Sequence, residues 1–97
     1  MRNILLLSIS FIFFQMQSYS QENLLQVSGT VMDDTAGIPI PGANVIEKGT
    51  TNGVMTDFNG EFSLEVAPDA VLEISYLGFS TQEINVDGQE YWEIRMQ

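Results

Sequence analysis

Residues 61–66 read EFSLEV, and apolar and polar side chains alternate through them without a break. Successive side chains of a strand point to opposite faces, so Phe62, Leu64 and Val66 share one face while Glu61, Ser63 and Glu65 share the other. A helix cannot sort them this way, because a 3.6-residue period would scatter the three apolar groups around its axis. The same logic recurs at residues 91–96, YWEIRM, where Trp92, Ile94 and Met96 fall inward and Tyr91, Glu93 and Arg95 outward. In residues 71–77, VLEISYL, it places Leu72, Ile74 and Tyr76 inside, with Val71 and Leu77 partly covered.

Turn chemistry separates further segments of this kind. Strands are expected at residues 27–32, 43–48, 54–57, 61–66, 71–77, 79–86 and 91–96, with a bulge or bend in the sixth, whose apolar residues fall on both parities. Gly29 lies between Val27 and Val31 on the inner face of the first strand, a place for close approach by a neighbouring backbone or bulky side chain. Residues 33–42, DDTAGIPIPG, carry two prolines and two glycines and should make a long turn. Asn59-Gly60 is a two-residue hairpin signal, since both residues can take positive φ and match the twist of flanking strands. Ala67-Pro68-Asp69 and Asp87-Gly88 mark later turns. Seven short strands are too many for one sheet with a single covered face, so an all-β sandwich of two packed sheets is expected.

The N-terminal end has a different character. Arg2 precedes an apolar run from Ile4 to Phe14 that only Ser8 and Ser10 interrupt, and Ser18-Tyr19-Ser20 places small residues where a signal peptidase reads. Residues 1–20 therefore read as a secretory signal with cleavage before Gln21; a bilayer span would need about 20 apolar residues. Residues 21–26 read as a polar lead-in and residues 27–97 as one domain. Removing 20 of 97 residues leaves 77, enough for one small core. With no cysteine, that core must be held by packing and the chain has no lipidation site behind the signal. All 13 acids but only Lys48 and Arg95 of the 3 bases lie beyond the signal, so the exported part carries 2 minus 13, or −11. A nucleic-acid or anionic-lipid surface is excluded by that balance, and direct membrane insertion is not expected after signal removal.

Several constellations of side chains bear on chemistry. Asp57, Asn59 and Glu61 put oxygen ligands at alternate positions, as the start of a calcium loop does. Such a loop needs glycine sixth and glutamate twelfth, and counting from Asp57 those places hold Phe62 and Pro68. The turn-and-strand reading explains more residues, so no metal site is assigned, with a weak ion site near Asp33, Asp34 or Asp57 left open. With no histidine and no cysteine, Cys-His and Ser-His nucleophiles and the commonest zinc ligands are unavailable. No catalytic or cofactor-binding residues are assigned, and an enzyme is not expected. Lys48 could in principle end in a lysine-to-asparagine cross-link, but the last strand, YWEIRMQ, has no asparagine. Tyr76, Phe79, Tyr91 and Trp92 could form a sugar-stacking platform, although packing is the commoner use of aromatics at strand spacing.

Taken in order, Val27-Ser-Gly-Thr-Val31, Asp33, the stretch PIPGANV from Pro39, Lys48-Gly-Thr-Thr51, Gly53, Thr56-Asp57, Gly60-Glu-Phe-Ser-Leu64, Ile74-Ser-Tyr-Leu-Gly-Phe79 and Thr81-Gln-Glu83 closely resemble the carboxypeptidase-regulatory-like domain. The form they resemble opens the SusC-like TonB-dependent outer-membrane receptors of Bacteroidetes. The resemblance implies a transthyretin-like (prealbumin-like), seven-stranded Greek-key sandwich without catalytic residues. It also implies a periplasmic position at the inner side of the outer membrane, ahead of a plug and barrel that import glycans or peptides. These 97 residues contain no plug and no barrel, so transport itself is not assigned to them. The expected role is a non-catalytic interaction or scaffold domain whose partners are proteins of an outer-membrane uptake complex. The alternative is a free-standing exported sandwich that binds a glycan or a cell-surface protein.

Overall fold

The computed structural model describes residues 23–97, so the expected signal and the start of the lead-in lie outside the described residues. Seven strands follow one another: β1 (Leu25–Asp33), β2 (Asn44–Glu47), β3 (Gly53–Met55), β4 (Glu61–Val66), β5 (Val71–Ser75), β6 (Gln82–Asn85) and β7 (Tyr91–Met96). They form a three-stranded sheet in the order β4-β1-β7 and a four-stranded sheet in the order β3-β2-β5-β6. β1 pairs antiparallel with β4 and parallel with β7, while every pair in the second sheet is antiparallel. The expected two-layer all-β architecture is what the chain adopts.

The alternation read at β4 holds along its length: Phe62, Leu64 and Val66 are buried while Glu61, Ser63 and Glu65 are exposed. They meet Val27 and Val31 of β1 and Ile94 and Met96 of β7 in one core, which Val45, Leu72 and Ile74 complete from the other sheet. Connections add Ile40, Ala43, Ala70 and Val86, so loops as well as strands close the interior. β1 starts at Leu25, inside the expected lead-in, because Leu25 and Gln26 still find partners in Val66 and Glu65.

Gly29 makes the close approach that its position suggested. It sits opposite Phe62 on β4 and Trp92 on β7, and a Cβ there would stand 2.3 Å from the Trp92 carbonyl oxygen and 2.8 Å from the Phe62 ring. The missing side chain lets an aromatic ring lie over the backbone of the central strand.

Three expectations need correction. β3 and β4 do not form a hairpin, because they belong to different sheets. Asp57 to Gly60 is instead a turn closed by the Gly60 amide on the Asp57 carbonyl at 2.9 Å, with the Asp57 amide donating to the Glu61 carbonyl at 2.9 Å. Gly60 takes φ 72° and Asn59 does not take a positive φ. The paired positive-φ turn lies at Asp87-Gly88, with φ 48° and 76°, and the Gln89 amide closes it on the Val86 carbonyl at 2.9 Å.

Second, β5 ends at Ser75, not at residue 77. The Phe79 amide reaches back to the Tyr76 carbonyl at 3.1 Å with Gly78 at φ 93°, and this turn throws Leu77 into solvent. Tyr76 is likewise exposed instead of inward. Third, β6 is confined to Gln82–Asn85, since residues 79–81 are spent on leaving that turn; the both-parity apolar pattern reflects a loop running into a strand.

Candidate functional site

The registers sort the loops into two ends. Asn44 of β2 faces Met55 and Ser75, and Thr30 of β1 faces Glu61 and Glu93. Residues 34–43, 56–60 and 76–81 therefore lie at the end where β7 finishes, and residues 48–52, 67–70 and 86–90 lie at the other.

The first end is built around Thr56, the one buried polar side chain among the described residues. Its hydroxyl donates to the Ile40 carbonyl at 2.6 Å and accepts the Ala43 amide at 2.9 Å. Its backbone amide donates to the Ala43 carbonyl at 2.9 Å, and its carbonyl accepts the Gly42 amide at 3.0 Å. One threonine thus satisfies both sides of a loop whose two prolines remove donors of their own. The loop also folds back on β1, with the Ile40 amide on the Val31 carbonyl at 2.9 Å and the Asp33 amide on the Ile38 carbonyl at 2.8 Å. Thr56 was legible only as a residue of the family-like stretch, because a threonine at a strand end carries no local sign of a buried clamp.

The acids that suggested calcium are turn residues. Asp57 Oδ1 accepts the amides of Asn59 at 2.9 Å and Glu61 at 3.0 Å. Asp33 Oδ1 does the same for Thr35 at 2.8 Å and Ala36 at 3.0 Å. Asp34 takes the Gln97 side-chain amide at 3.1 Å and faces the Arg95 guanidinium at 3.8 Å. Among the described residues no three histidine, cysteine, aspartate or glutamate side chains gather where they could share a cation.

The aromatic residues do not make one platform. Tyr76 and Phe79 pair across their turn, with ring centroids 6.1 Å apart and planes at 41°. Tyr91 and Trp92 are consecutive on β7 and point to opposite faces: Trp92 is half-buried and donates to the Gln89 carbonyl at 3.2 Å, whereas Tyr91 is exposed beside Thr30. Tyr91 instead borders a groove of about 560 Å³ that spans the smaller sheet and β3, where Ser28, Thr30 and Ser63 present hydroxyls, Asp57 and Glu61 present carboxylates, and Val54 and Met55 add apolar side chains.

Exposed apolar groups mark the loop end more strongly. Phe58 and Leu77 are each 94% exposed at the tips of tight turns, with Met55 at 64% and Ile38 at 58% behind them. At the other end Lys48 binds Glu83 across the larger sheet at 2.6 Å. That hydrogen bond, and then the charge of Glu83, raise the Lys48 ammonium above its ordinary value.

Residues 27–97 match the model of the CarboxypepD_reg-like domain. The chain belongs to that family. The TonB-dependent receptor P39 of Formosa agariphila is 42% identical over 94 residues that span 92% of this chain and 9% of the receptor. The TonB-dependent receptor SusC of Bacteroides thetaiotaomicron is 38% identical over 89 residues, again 92% of this chain and 9% of the receptor. This chain therefore spans under a tenth of the length of these curated relatives. Among solved structures, one chain of the type II cohesin–X-dockerin complex from Acetivibrio cellulolyticus superposes with a TM-score of 0.59 at 30% identity, over 74% of this chain and 56% of that one. The CarboxypepD_reg-like family is a transthyretin-like sandwich, in accord with the two sheets described above.

Proposed function

We propose that this chain is a non-catalytic periplasmic interaction or scaffold domain of a SusC-like TonB-dependent system that takes up glycans or peptides. The observation that carries the reading is the likeness, over nearly the whole of this domain, to a small part of receptors that are named for TonB dependence. Export by the signal expected in residues 1–20 fits a place in the envelope. The chemistry of the domain fits as well: it has neither histidine nor cysteine, and Asp33 and Asp57 spend a carboxylate oxygen on backbone amides. In-frame removal of residues 25–96 from the producing bacterium tests the role. Growth on at least one glycan or peptide as sole nutrient should slow, and unaltered growth on every such nutrient would count against it.

One observation favours glycan binding as a second reading. The groove beside Tyr91 combines an aromatic side chain with hydroxyls and carboxylates, the groups that hold sugar rings and sugar hydroxyls. Calorimetric titration with neutral oligosaccharides should then saturate in the wild type and weaken in Tyr91→Ala. A flat response would leave the groove without this role.

A further inference from the structure

We propose that the loop end carrying Phe58 and Leu77 is the docking face for the plug-and-barrel body of a TonB-dependent receptor; this rests on the function proposed above. Neither tip is explained by the fold beneath it. The turn at Phe58 is closed by the Gly60 amide on the Asp57 carbonyl and by the Asp57 carboxylate, so position 58 would serve as well with a polar residue. The turn at Leu77 needs Gly78 and the bond from Phe79 to Tyr76, and makes no demand on Leu77 itself. Both tips are held by these bonds, so an apolar side chain is presented with little left to order on binding. The opposite end exposes Leu24 ahead of β1, but its loops show Thr50, Asn52, Asp69, Asp87 and Gln89 to solvent.

Position and charge identify the occupant. Gln97 lies at the Phe58 end, where its carbonyl accepts the Ser80 amide at 2.8 Å and its side chain reaches Asp34. In the relatives more than nine-tenths of the polypeptide lies outside this domain. Where such a domain opens a receptor, the chain that continues into the body leaves from this end. Asp57 adjoins Phe58 directly, and Arg95, the cation at this end, is already held by Glu93 and Asp34. The complementary surface is an apolar site rimmed by basic side chains.

The test is site-specific photo-crosslinking in the producing bacterium. A photoreactive phenylalanine analogue replaces Phe58, Leu77 or, at the opposite end, Gln89, and the tagged protein is purified from outer membranes. Links from positions 58 and 77 to plug or barrel residues, within one polypeptide or between two, are expected, with none from 89. Phe58→Ser with Leu77→Ser should keep the wild-type melting temperature and lower linking from a reporter at position 55 about tenfold or more. Receptor linked from position 89 but not from 58 or 77 would overturn the docking face while leaving the function intact. Links from position 58 to a second copy of this chain would overturn it in favour of a dimer. If no receptor polypeptide is recovered with any variant, the proposed function fails along with it.

Discussion

The Thr56 hydroxyl donates to the carbonyl oxygen of Ile40 at 2.6 Å, across 16 residues of sequence, and the hydroxyl oxygen itself accepts the Ala43 amide. All of this is buried, so neither backbone group has water as an alternative partner. Thr56→Val keeps the shape and removes both bonds. It should destabilise the domain by about 1–3 kcal/mol in urea unfolding, whereas Thr56→Ser should cost less.

Glycines with the same backbone angle should respond differently. Gly60 and Gly88 have φ of 72° and 76°, but a Cβ on Gly60 would stand 2.6 Å from the Val31 carbonyl oxygen while Gly88 has open space around it. Gly88→Ala should cost the conformational penalty alone, about 1–2 kcal/mol. Gly60→Ala should add overpacking of about 1–3 kcal/mol, and a smaller loss at 60 than at 88 would contradict the packing described for the turn.

Asp57 should matter to the turn and not to an ion. Asp57→Ala leaves the Asn59 and Glu61 amides without their acceptor and should cost about 1 kcal/mol. Excess calcium or a chelator should leave the wild-type melting temperature unchanged, because a ligand specific to the folded state would raise it.

The Lys48–Glu83 pair gives a pH dependence of defined sign. Its folded-state value is raised by the Glu83 hydrogen bond first and the Glu83 charge second. The contribution is therefore complete below the ordinary lysine value of about 10.4 and is lost as pH rises through the higher folded value. Both partners are about half exposed, so the effect is small and fades with salt. The melting-temperature difference between wild type and Lys48→Gln should be constant near neutral pH and shrink in strong alkali.

What could be read in advance was what depends on parity. Phe62, Leu64 and Val66, and likewise Ile94 and Met96, went inward because a strand with one buried face admits only one register. Gly29 was legible for the same reason, as a gap in the inner row of β1. Pairing partners were not legible: Asn59-Gly60 carries a local turn signal, yet whether β3 and β4 then pair depends on which sheet each joins. Leu77 and Tyr76 misled because apolar letters at a strand's end look alike whether they close a core or stand on a turn. Of the candidate surfaces, the tips at Phe58 and Leu77 gave no signal in the sequence, since their prominence comes from the turns that lift them.

The most direct test of the central claim is recovery of the tagged protein from native outer membranes, followed by mass spectrometry of what accompanies it. The account predicts plug-and-barrel peptides of a SusC-like receptor in stoichiometric amount, from the same polypeptide or a separate one. Recovery of the domain free in the periplasm, with no such receptor, would contradict it.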